Sequence, residues 1–365
     1  MTAGPPDDGR YIDGELGVLS GEGAQQAVPA RRGGTEGGGP DEIHGGVSPA
    51  GEPTYYGRPV LKEPTWVWSV PAYFFAGGAA GAALVLGAAA QVADRRELAN
   101  LVSRCRWLGA AGCLAGTGLL IHDLGRRERF LNMLRVFRPS SPMSIGSWVL
   151  AGAVPLSAGA ALLSGADGFA GGVGDAAAVG AGVLGLPLSG YTAVLLSNTA
   201  VPVWQGGRRS LPMLFVASAV SSAASLLELT ALSEREEGIV RRFGLAGKAA
   251  ELAAVVAVGR EVGRVEQVAL PLREGMSGAL WRAAAGLTAA SLALSALSRR
   301  SRWSRTAAGL LGTAGALALR FAEFQAGKRS ARDPLATFHQ QRAGLGGAEA
   351  TGRPAVAESG GSDLS

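Results

Sequence analysis

Charged residues are scarce in this sequence and unevenly spread. Only 17% of the 365 residues are charged, against about 25% in an ordinary soluble domain. Long apolar blocks separated by short arginine-rich segments make up the central part of the chain. Because about 20 apolar residues in a helix cross the hydrocarbon core of a bilayer, this pattern indicates an integral membrane protein.

Histidine and cysteine are too few to build a redox centre inside the chain. Of the three histidines, His44 and His339 lie in the polar ends and only His122 lies in the apolar part. A b-type haem held between helices needs a pair of axial ligands, usually histidines. Cys105 and Cys113 cannot form an iron–sulfur site, and we interpret them as buried small hydrophobic residues. We expect no haem, no iron–sulfur cluster and no other metal site.

Signatures of nucleotide and nucleic-acid binding are missing as well. No GxGxxG motif follows a predicted strand, and no P-loop occurs. The net charge of +5 would suit a nucleic-acid partner. However, the arginines lie at the ends of apolar blocks instead of in one patch, as expected for loops at a membrane surface. Nucleic acid is therefore excluded as a partner.

Eight apolar blocks predict an all-α bundle of about eight transmembrane helices. Tryptophans such as Trp148 and Trp281 lie near the block ends, as in the aromatic belt at a membrane interface. The sixth block is the weakest, because it contains Lys248 and Glu251. The predicted helices are 70–92, 102–122, 145–164, 175–200, 211–232, 244–260, 278–297 and 303–322.

The two polar ends predict tails outside the membrane. Residues 1–60 are rich in Gly, Pro, Asp and Glu and lack the apolar stretch of a cleavable signal peptide, so we expect a disordered tail. Residues 326–365 have the same composition and the same expectation, which leaves 61–325 for the helix bundle. An even number of crossings puts both tails on one side of the membrane, here named side A, opposite side B.

Residues 122–139, on side A after the second predicted helix, combine charge with apolar residues three and four apart. This spacing favours an amphipathic helix along the membrane surface, and it suits a docking ledge for a partner protein equally well. A solvated loop is the plain alternative. The candidate docking residues are Arg126, Arg129, Phe130, Arg135 and Phe137.

Four strings of this sequence resemble a known family of membrane subunits. They are YYGRPVLKEPTWVWSVPAYFFAGG (55–78), HDLGRRERFLNMLRVFRPSSPMS (122–144), YTAVLLSNTAVPVW (191–204) and ELAAVV (251–256). The family is the one named for polysulfide reductase and nitrite reductase systems (NrfD/PsrC). The resemblance covers about 55–325, and it departs at Arg127, where members often have proline.

The resemblance implies a membrane anchor of eight to ten helices that binds quinone or quinol and lacks haem. It further implies an iron–sulfur partner subunit with several [4Fe–4S] clusters. That subunit would contact a molybdopterin oxidoreductase acting on polysulfide, formate or another small molecule. We expect the quinone to be menaquinone and the location to be the cell membrane. Electrons would pass between the quinone and the nearest cluster.

Polar residues inside lipid are costly and are usually functional or paired, and five of them lie at similar depth near side A. They are Tyr73, His122, Asp123, Tyr191 and Asn198. A histidine backed by a carboxylate can both donate to a quinone carbonyl and supply a proton near pH 7. We predict that His122, tuned by Asp123 or a nearby arginine, binds the quinone. The alternative is that His122 and Asp123 cap the second helix and pair with Arg126.

Three ionisable residues fall inside the fifth and sixth predicted helices: Glu228, Lys248 and Glu251. Lys248 and Glu251 are three residues apart and so share a helix face. They predict part of a proton path, or else a buried ion pair with a purely structural role. Asp175, Arg320 and Glu323 lie near predicted helix ends, and we expect them at the interface.

Two other functions fit parts of this pattern. Pro155 and Pro187 interrupt apolar blocks, and broken helices with buried charge also occur in transporters. No clear inverted repeat accompanies them, which weakens a transporter or channel interpretation. A purely structural membrane anchor without quinone chemistry is the third possibility.

Overall fold

The computed structural model describes residues 11–13, 18–20, 59–124, 127–297 and 301–345. The strands β1 (Tyr11–Asp13) and β2 (Val18–Ser20) pair antiparallel, with Tyr11 opposite Ser20 and Asp13 opposite Val18. Otherwise the predicted N-terminal tail up to residue 58, and the predicted C-terminal tail beyond residue 345, lie outside the described residues.

All the described secondary structure from residue 61 onward is helical, which confirms the predicted all-α class. The eleven α-helices are α1 (Ser69–Asp94), α2 (Ala99–Asp123), α3 (Pro142–Leu162), α4 (Gly168–Ser197), α5 (Pro202–Gly206), α6 (Leu211–Glu228), α7 (Glu234–Val262), α8 (Glu266–Arg273), α9 (Gly275–Leu297), α10 (Arg302–Arg332) and α11 (Pro334–Arg342). A 3-10 helix, Arg127–Leu134, lies between α2 and α3.

Six of these helices are long and apolar enough to cross a membrane: α1, α3, α4, α6, α9 and α10. The eight predicted blocks correspond to these six and to α2 and α7. Arg104 and Arg106 near the start of α2, and the charged residues along α7, lower the hydropathy of those two helices. Length and composition therefore support a multi-pass membrane protein with six spanning helices, and α2 and α7 pack beside them over comparable lengths.

The long helices form two groups that meet through α1 and α4 on one side and α6 and α10 on the other. The first group is α1 to α4, and the second is α6, α7, α9 and α10. Glycine permits the closest approach between α1 and α4, because a Cβ at Gly81 would lie 2.7 Å from the carbonyl oxygen of Gly185. Small residues allow such backbone contact in lipid, where no hydrophobic effect drives helices together.

The start of α7 shows how local sequence positions the second group. Ser233 and Glu236 form a capping box, in which each side chain bonds the other residue's backbone N–H. The Glu236 carboxylate also accepts from the backbone N–H of Leu101 at 2.7 Å. This contact fixes the side-B end of α7 to the start of α2.

The C-terminal part of the bundle extends beyond the predicted boundary. Residues 326–332 continue α10, and residues 334–342 form α11, so this segment is helical although we expected a tail from residue 326. Asp333 accepts from the backbone N–H of Leu335, and Pro334 occupies the first turn, both of which start a helix. Ala336 and Gln340 are buried, and this packing stabilises α11 as a helix.

Candidate functional site

A cavity of about 360 Å³ lies among α1, α2, α3 and α4 near side A. Its wall is mostly apolar and includes Val70, Phe74 and Leu150. The 3-10 helix between α2 and α3 closes part of it with Phe130 and Met133. Small-molecule sites typically occupy about 300–1,000 Å³ and combine apolar walls with a few polar groups, and this cavity has that character.

Two tyrosines provide the main polar feature of the cavity. Tyr73 on α1 and Tyr191 on α4 both line it, and their hydroxyl oxygens contact each other. One hydroxyl donates to the other, so the second O–H is available to a ligand. Glycine makes room for the rings, because a Cβ at Gly146 would lie 2.0 Å from Cε2 of Tyr191, and one at Gly77 would lie 3.1 Å from Cε2 of Tyr73.

Asp123, at the end of α2, is the cavity's one carboxylate among the described lining residues. Its Oδ1 accepts from the backbone N–H of Val67 at 3.1 Å and from the Ser69 hydroxyl at 3.2 Å. Asp123 therefore caps the start of α1 and is held in place by it. Both bonds use Oδ1, which leaves Oδ2 able to accept from a ligand.

His122 and Asn198 do not join the other three predicted residues. The His122 side chain is exposed and lies against Trp68, with the ring centroids 5.7 Å apart. Asn198 is exposed at the end of α4, where its Nδ2 donates to the backbone oxygen of Val194 at 2.8 Å. Neither residue lines the cavity, whereas Trp66 and Phe74, which we did not single out, do.

The predicted docking residues lie in different environments in the structure. Arg126 lies outside the described residues, as does the side chain of Arg129. Phe130 lines the cavity instead of standing free on the surface. Arg135 and Phe137 are exposed, and Phe137 meets Trp148 edge to face at a centroid distance of 6.2 Å.

A buried ion pair lies in the second helix group. The Lys248 ammonium on α7 is 2.8 Å and 3.0 Å from the two carboxylate oxygens of Glu228 on α6. Ser295 on α9 contacts both groups, at 3.0 Å from Lys248 Nζ and 3.2 Å from Glu228 Oε1. Lys248 therefore pairs with a neighbouring helix and not with Glu251 on its own helix.

Three further charged groups are buried nearer the middle of the bundle: Glu251, Arg320 and Glu323, all at most 1% exposed. The expectation that Arg320 and Glu323 lie at the interface is wrong, because α10 continues to Arg332 and keeps both residues inside. Thr288 donates to Glu251 at 3.5 Å. Neither carboxylate oxygen of Glu323 has a hydrogen-bond partner among the described residues.

Together with Glu228 and Lys248, these groups form a row of buried charges, and a cavity of about 400 Å³ opens the Glu228 end of the row to side B. Glu228 and Ser295 line it beside the ion pair, and Arg241, Arg242 and Arg305 line it as well. Glu228 is therefore reached from this cavity, and Lys248 lies behind it.

Near side A the row ends at a pair of stacked tryptophans. Trp204 is fully buried, and its Nε1 donates to the backbone oxygen of Glu323 at 3.0 Å. Trp66 stacks on Trp204 with ring centroids 6.0 Å apart. Trp66 also lines the cavity of the first helix group, so the two regions approach each other at this end.

Glu63 fastens the segment before α1 to the end of α10. Its carboxylate lies 2.7 Å from Nε of Arg332 and 3.0 Å from Nζ of Lys328. Partial burial opposes ionisation, but these hydrogen bonds and positive charges outweigh it and hold the pKa of Glu63 below its usual value.

Asp175, on the side-B part of α4, belongs to a separate brace. Arg106 is buried, and its Nη2 donates to Asp175 at 2.6 Å and to Gln91 at 2.8 Å. Its Nη1 donates to the backbone oxygen of Ala160 at 3.3 Å, and Arg95 also pairs with Asp175. These contacts join α1, α2, α3 and α4. The sequence placed Arg106 at the start of the predicted helix 102–122, among the positive charges of side B, and hydropathy gave no signal that its side chain is buried.

Comparison with protein families gives one match. The family described as "Polysulphide reductase, NrfD" matches residues 61–328, a range that contains the cavity, the buried charges and all helices from α1 to α9. The comparison with curated proteins gives no match. Among the described residues, no group of three or more His, Cys, Asp or Glu side chains could hold a metal ion.

Proposed function

This chain belongs to the polysulphide reductase, NrfD family, and we propose that it binds a quinone or quinol as the membrane subunit of an oxidoreductase complex. The observation that carries the proposal is the apolar cavity near side A with Tyr73, Tyr191 and Asp123 in its wall. A lipid-soluble ring would enter such a site from the bilayer.

The chemistry of the wall suits both redox forms of the substrate. A quinone presents two carbonyl acceptors, and the free O–H of the tyrosine pair can donate to one of them. A quinol presents hydroxyl donors, and Oδ2 of Asp123 can accept from one. Reduction of a quinone consumes two electrons and two protons, so the site also needs an electron partner and a proton supply.

The electron partner that we propose is an iron–sulfur subunit with [4Fe–4S] clusters, which passes electrons to or from a molybdopterin oxidoreductase. It would dock on side A beside the segment of the predicted residues Arg126, Arg129, Phe130, Arg135 and Phe137. The exposure of Arg135 and Phe137 and the position of Phe130 in the cavity wall support this surface. We expect menaquinone as the quinone and the cell membrane as the location.

The proton supply that we propose uses the buried charges. Glu228 lines the cavity that opens to side B, and Lys248 and Glu251 lie deeper in the bundle. Ionisable groups inside a membrane protein commonly mark proton routes. The hydroxyl of Ser295, between Glu228 and Lys248, supports proton movement along this row.

Menadione, a short-chain naphthoquinone, tests the cavity directly. We expect it to quench the tryptophan fluorescence of the purified full-length chain in detergent with a saturable dependence, because Trp66 lines the site. Tyr73→Phe and Tyr191→Phe together should weaken binding by about tenfold, the equivalent of about 1.4 kcal/mol. Ser197→Ala, on the same helix as Tyr191 but outside the cavity, is the matched control. Absence of saturable quenching in the unmodified protein would contradict quinone binding.

Copurification tests the partners. A tag on this chain should bring down a protein with several [4Fe–4S] clusters together with a molybdopterin enzyme, identified by mass spectrometry and by metal content. A purified chain that is stably assembled in the membrane with neither partner would contradict this part of the proposal.

A further inference from the structure

The cavity and the buried charges meet at one pair of aromatic rings. Phe74 on α1 lines the cavity, and Phe215 on α6 lies directly behind it. The ring centroids are 5.7 Å apart in an edge-to-face arrangement. Phe74 is 4% exposed and Phe215 is fully buried, so a ligand that pushes Phe74 away from the cavity presses it against Phe215. Close-packed interiors transmit such displacements.

Phe215 in turn holds Arg320 by two separate contacts. The guanidinium carbon of Arg320 lies 3.8 Å from the centroid of the Phe215 ring. The Nη2 of Arg320 also donates to the backbone oxygen of Phe215 at 2.9 Å. Nε and Nη1 of Arg320 make no hydrogen bond within the described part of the chain. The position of this buried cation therefore depends on Phe215 more than on any other described residue.

Arg320 shares the buried interior with two acids. Glu323 lies three residues further along α10, on the same helix face, and Glu251 on α7 is buried as well. Burial of net charge is costly, and one cation with two carboxyl groups is neutral only when one of the two carries a proton. Movement of Arg320 away from this pair leaves the remaining carboxylate without its neutralising charge, so the pair takes up a proton from solution.

The other described helices next to Arg320 contribute no further group that titrates near neutral pH. The nearest part of α1 is Gly78, where a Cβ would lie 3.8 Å from Nη2 of Arg320. The α9 contribution is the Thr288 hydroxyl, and α5 contributes Trp204 through the backbone of Glu323. None of these three side chains titrates near neutral pH. Lys248, the next charge along α7, is neutralised by Glu228.

We propose that Phe215 and Arg320 couple occupancy of the cavity to proton exchange at Glu251 and Glu323. A ring bound in the cavity displaces Phe74, Phe74 displaces Phe215, and Arg320 moves relative to the two acids. Arg320 and Phe215 are positioning residues in this coupling, since neither lines the cavity. The inference rests on the proposed quinone site and adds to it a link to the proton row.

The experiment counts protons when menadione binds. The purified full-length chain in weakly buffered detergent solution is mixed with menadione, and a pH-indicator dye reports the protons taken up or released per ligand bound. By linkage, a ligand that shifts a proton equilibrium must exchange protons on binding. We expect exchange in the unmodified protein and its loss in Phe215→Leu, which still binds menadione. Glu323→Gln should reduce the exchange as well.

Phe324→Leu is the matched control, because it makes the same change at a buried ring of α10 that contacts Lys328 instead of Arg320. It should exchange as many protons as the unmodified chain. If Phe215→Leu does not assemble, Phe74→Leu and Glu323→Gln replace it, and unchanged exchange in both overturns the inference. Menadione binding without proton exchange in the unmodified protein also overturns it, but leaves the quinone site intact. No menadione binding at all contradicts the proposed function itself.

Discussion

Lys248 on α7 places its ammonium 2.8 Å from Oε2 of Glu228 on α6, and both side chains are buried inside the bundle. An ion pair of this kind is costly to bury, but its geometry compensates when every donor has an acceptor. Lys248 meets that condition through Glu228 and Ser295.

Lys248→Met should destabilise the protein strongly, because it leaves the Glu228 carboxylate buried without its partner. Breaking a buried pair in this way typically costs about 3–5 kcal/mol. The double variant Lys248→Met with Glu228→Gln should recover most of the loss. Thermal unfolding of the detergent-solubilised chain measures both.

Arg235→Ala is the control for that measurement, since its pair with Glu97 is exposed on both sides. Exposed pairs contribute little to stability, so this variant should unfold at nearly the unmodified temperature. Equal losses for Lys248→Met and Arg235→Ala would show that the buried pair has no special role in stability.

Part of the cavity could be predicted because depth in a membrane can be read from sequence. Tyr73, Asp123 and Tyr191 lie at corresponding distances from the ends of apolar blocks, and they do converge. His122 was grouped with Asp123 as its neighbour, but successive residues point about 100° apart on a helix. Only the packing of α1 against α2 decides which of the two faces inward.

The buried charges on α10 could not be placed from the sequence for a related reason. The apolar block ends near residue 322, so the sequence places Arg320 and Glu323 at a membrane interface. The helix continues to Arg332, and contacts from distant residues, Phe215 and Trp204, bury them. Hydropathy along one segment contains no information on such neighbours.

Gly146→Ala should close the tyrosine side of the cavity. A Cβ at this position would lie 2.0 Å from Cε2 of Tyr191, so the ring must move. We expect menadione binding to weaken by about tenfold or more, as measured by tryptophan quenching. Gly159→Ala, on the same helix with no atom within 4 Å of its new Cβ, should bind like the unmodified chain. Equal binding by both variants would exclude Tyr191 from the site.

His122→Phe distinguishes the structure from the sequence interpretation. The sequence offered His122 either as a quinone ligand or as a helix cap, whereas the structure exposes its side chain against Trp68 and outside the cavity. We therefore expect unchanged menadione affinity, measured by quenching over the pH range in which a histidine titrates. A clear loss of affinity would show that His122 reaches the ligand and that the apo arrangement of α2 rearranges on binding.

Acid should release the segment before α1. The pKa of Glu63 is held below its ordinary value of 4.5 by Arg332 and Lys328 after the opposing effect of burial. A carboxylate with a lowered pKa contributes its stability fully above the ordinary value, and that contribution disappears as the pH falls through the lowered one. The protection of residues 61–66 against hydrogen–deuterium exchange, taken as the observed rate relative to the intrinsic rate at each pH, should therefore fall below about pH 4.5.

Glu63→Gln should show the fast exchange already at neutral pH, since the amide cannot replace the charge. Glu97→Gln, whose partner Arg235 is exposed, serves as the comparison and should leave this segment unaffected. Protection of this segment in the unmodified protein that stays constant between pH 7 and acid pH would contradict the role of Glu63.

Glu251→Gln should separate electron transfer from proton movement. Glu251 is buried beyond the Lys248–Glu228 pair and beside Arg320, but it does not line the cavity.

The assembled complex is reconstituted in liposomes with menadiol as the reductant and ferricyanide as the acceptor, and a dye inside reports pH. Oxidation of each menadiol releases two electrons to ferricyanide and two protons. We expect electron transfer to continue in the variant with the two protons leaving towards side A, so that the pH change inside liposomes whose interior faces side B is lost, because an amide at position 251 cannot pass protons on. Thr288→Val removes the hydroxyl that bonds Glu251 without removing the acid, and it should reduce the pH change only in part. A pH change in Glu251→Gln as large as in the unmodified complex would show that protons reach the substrate by another route.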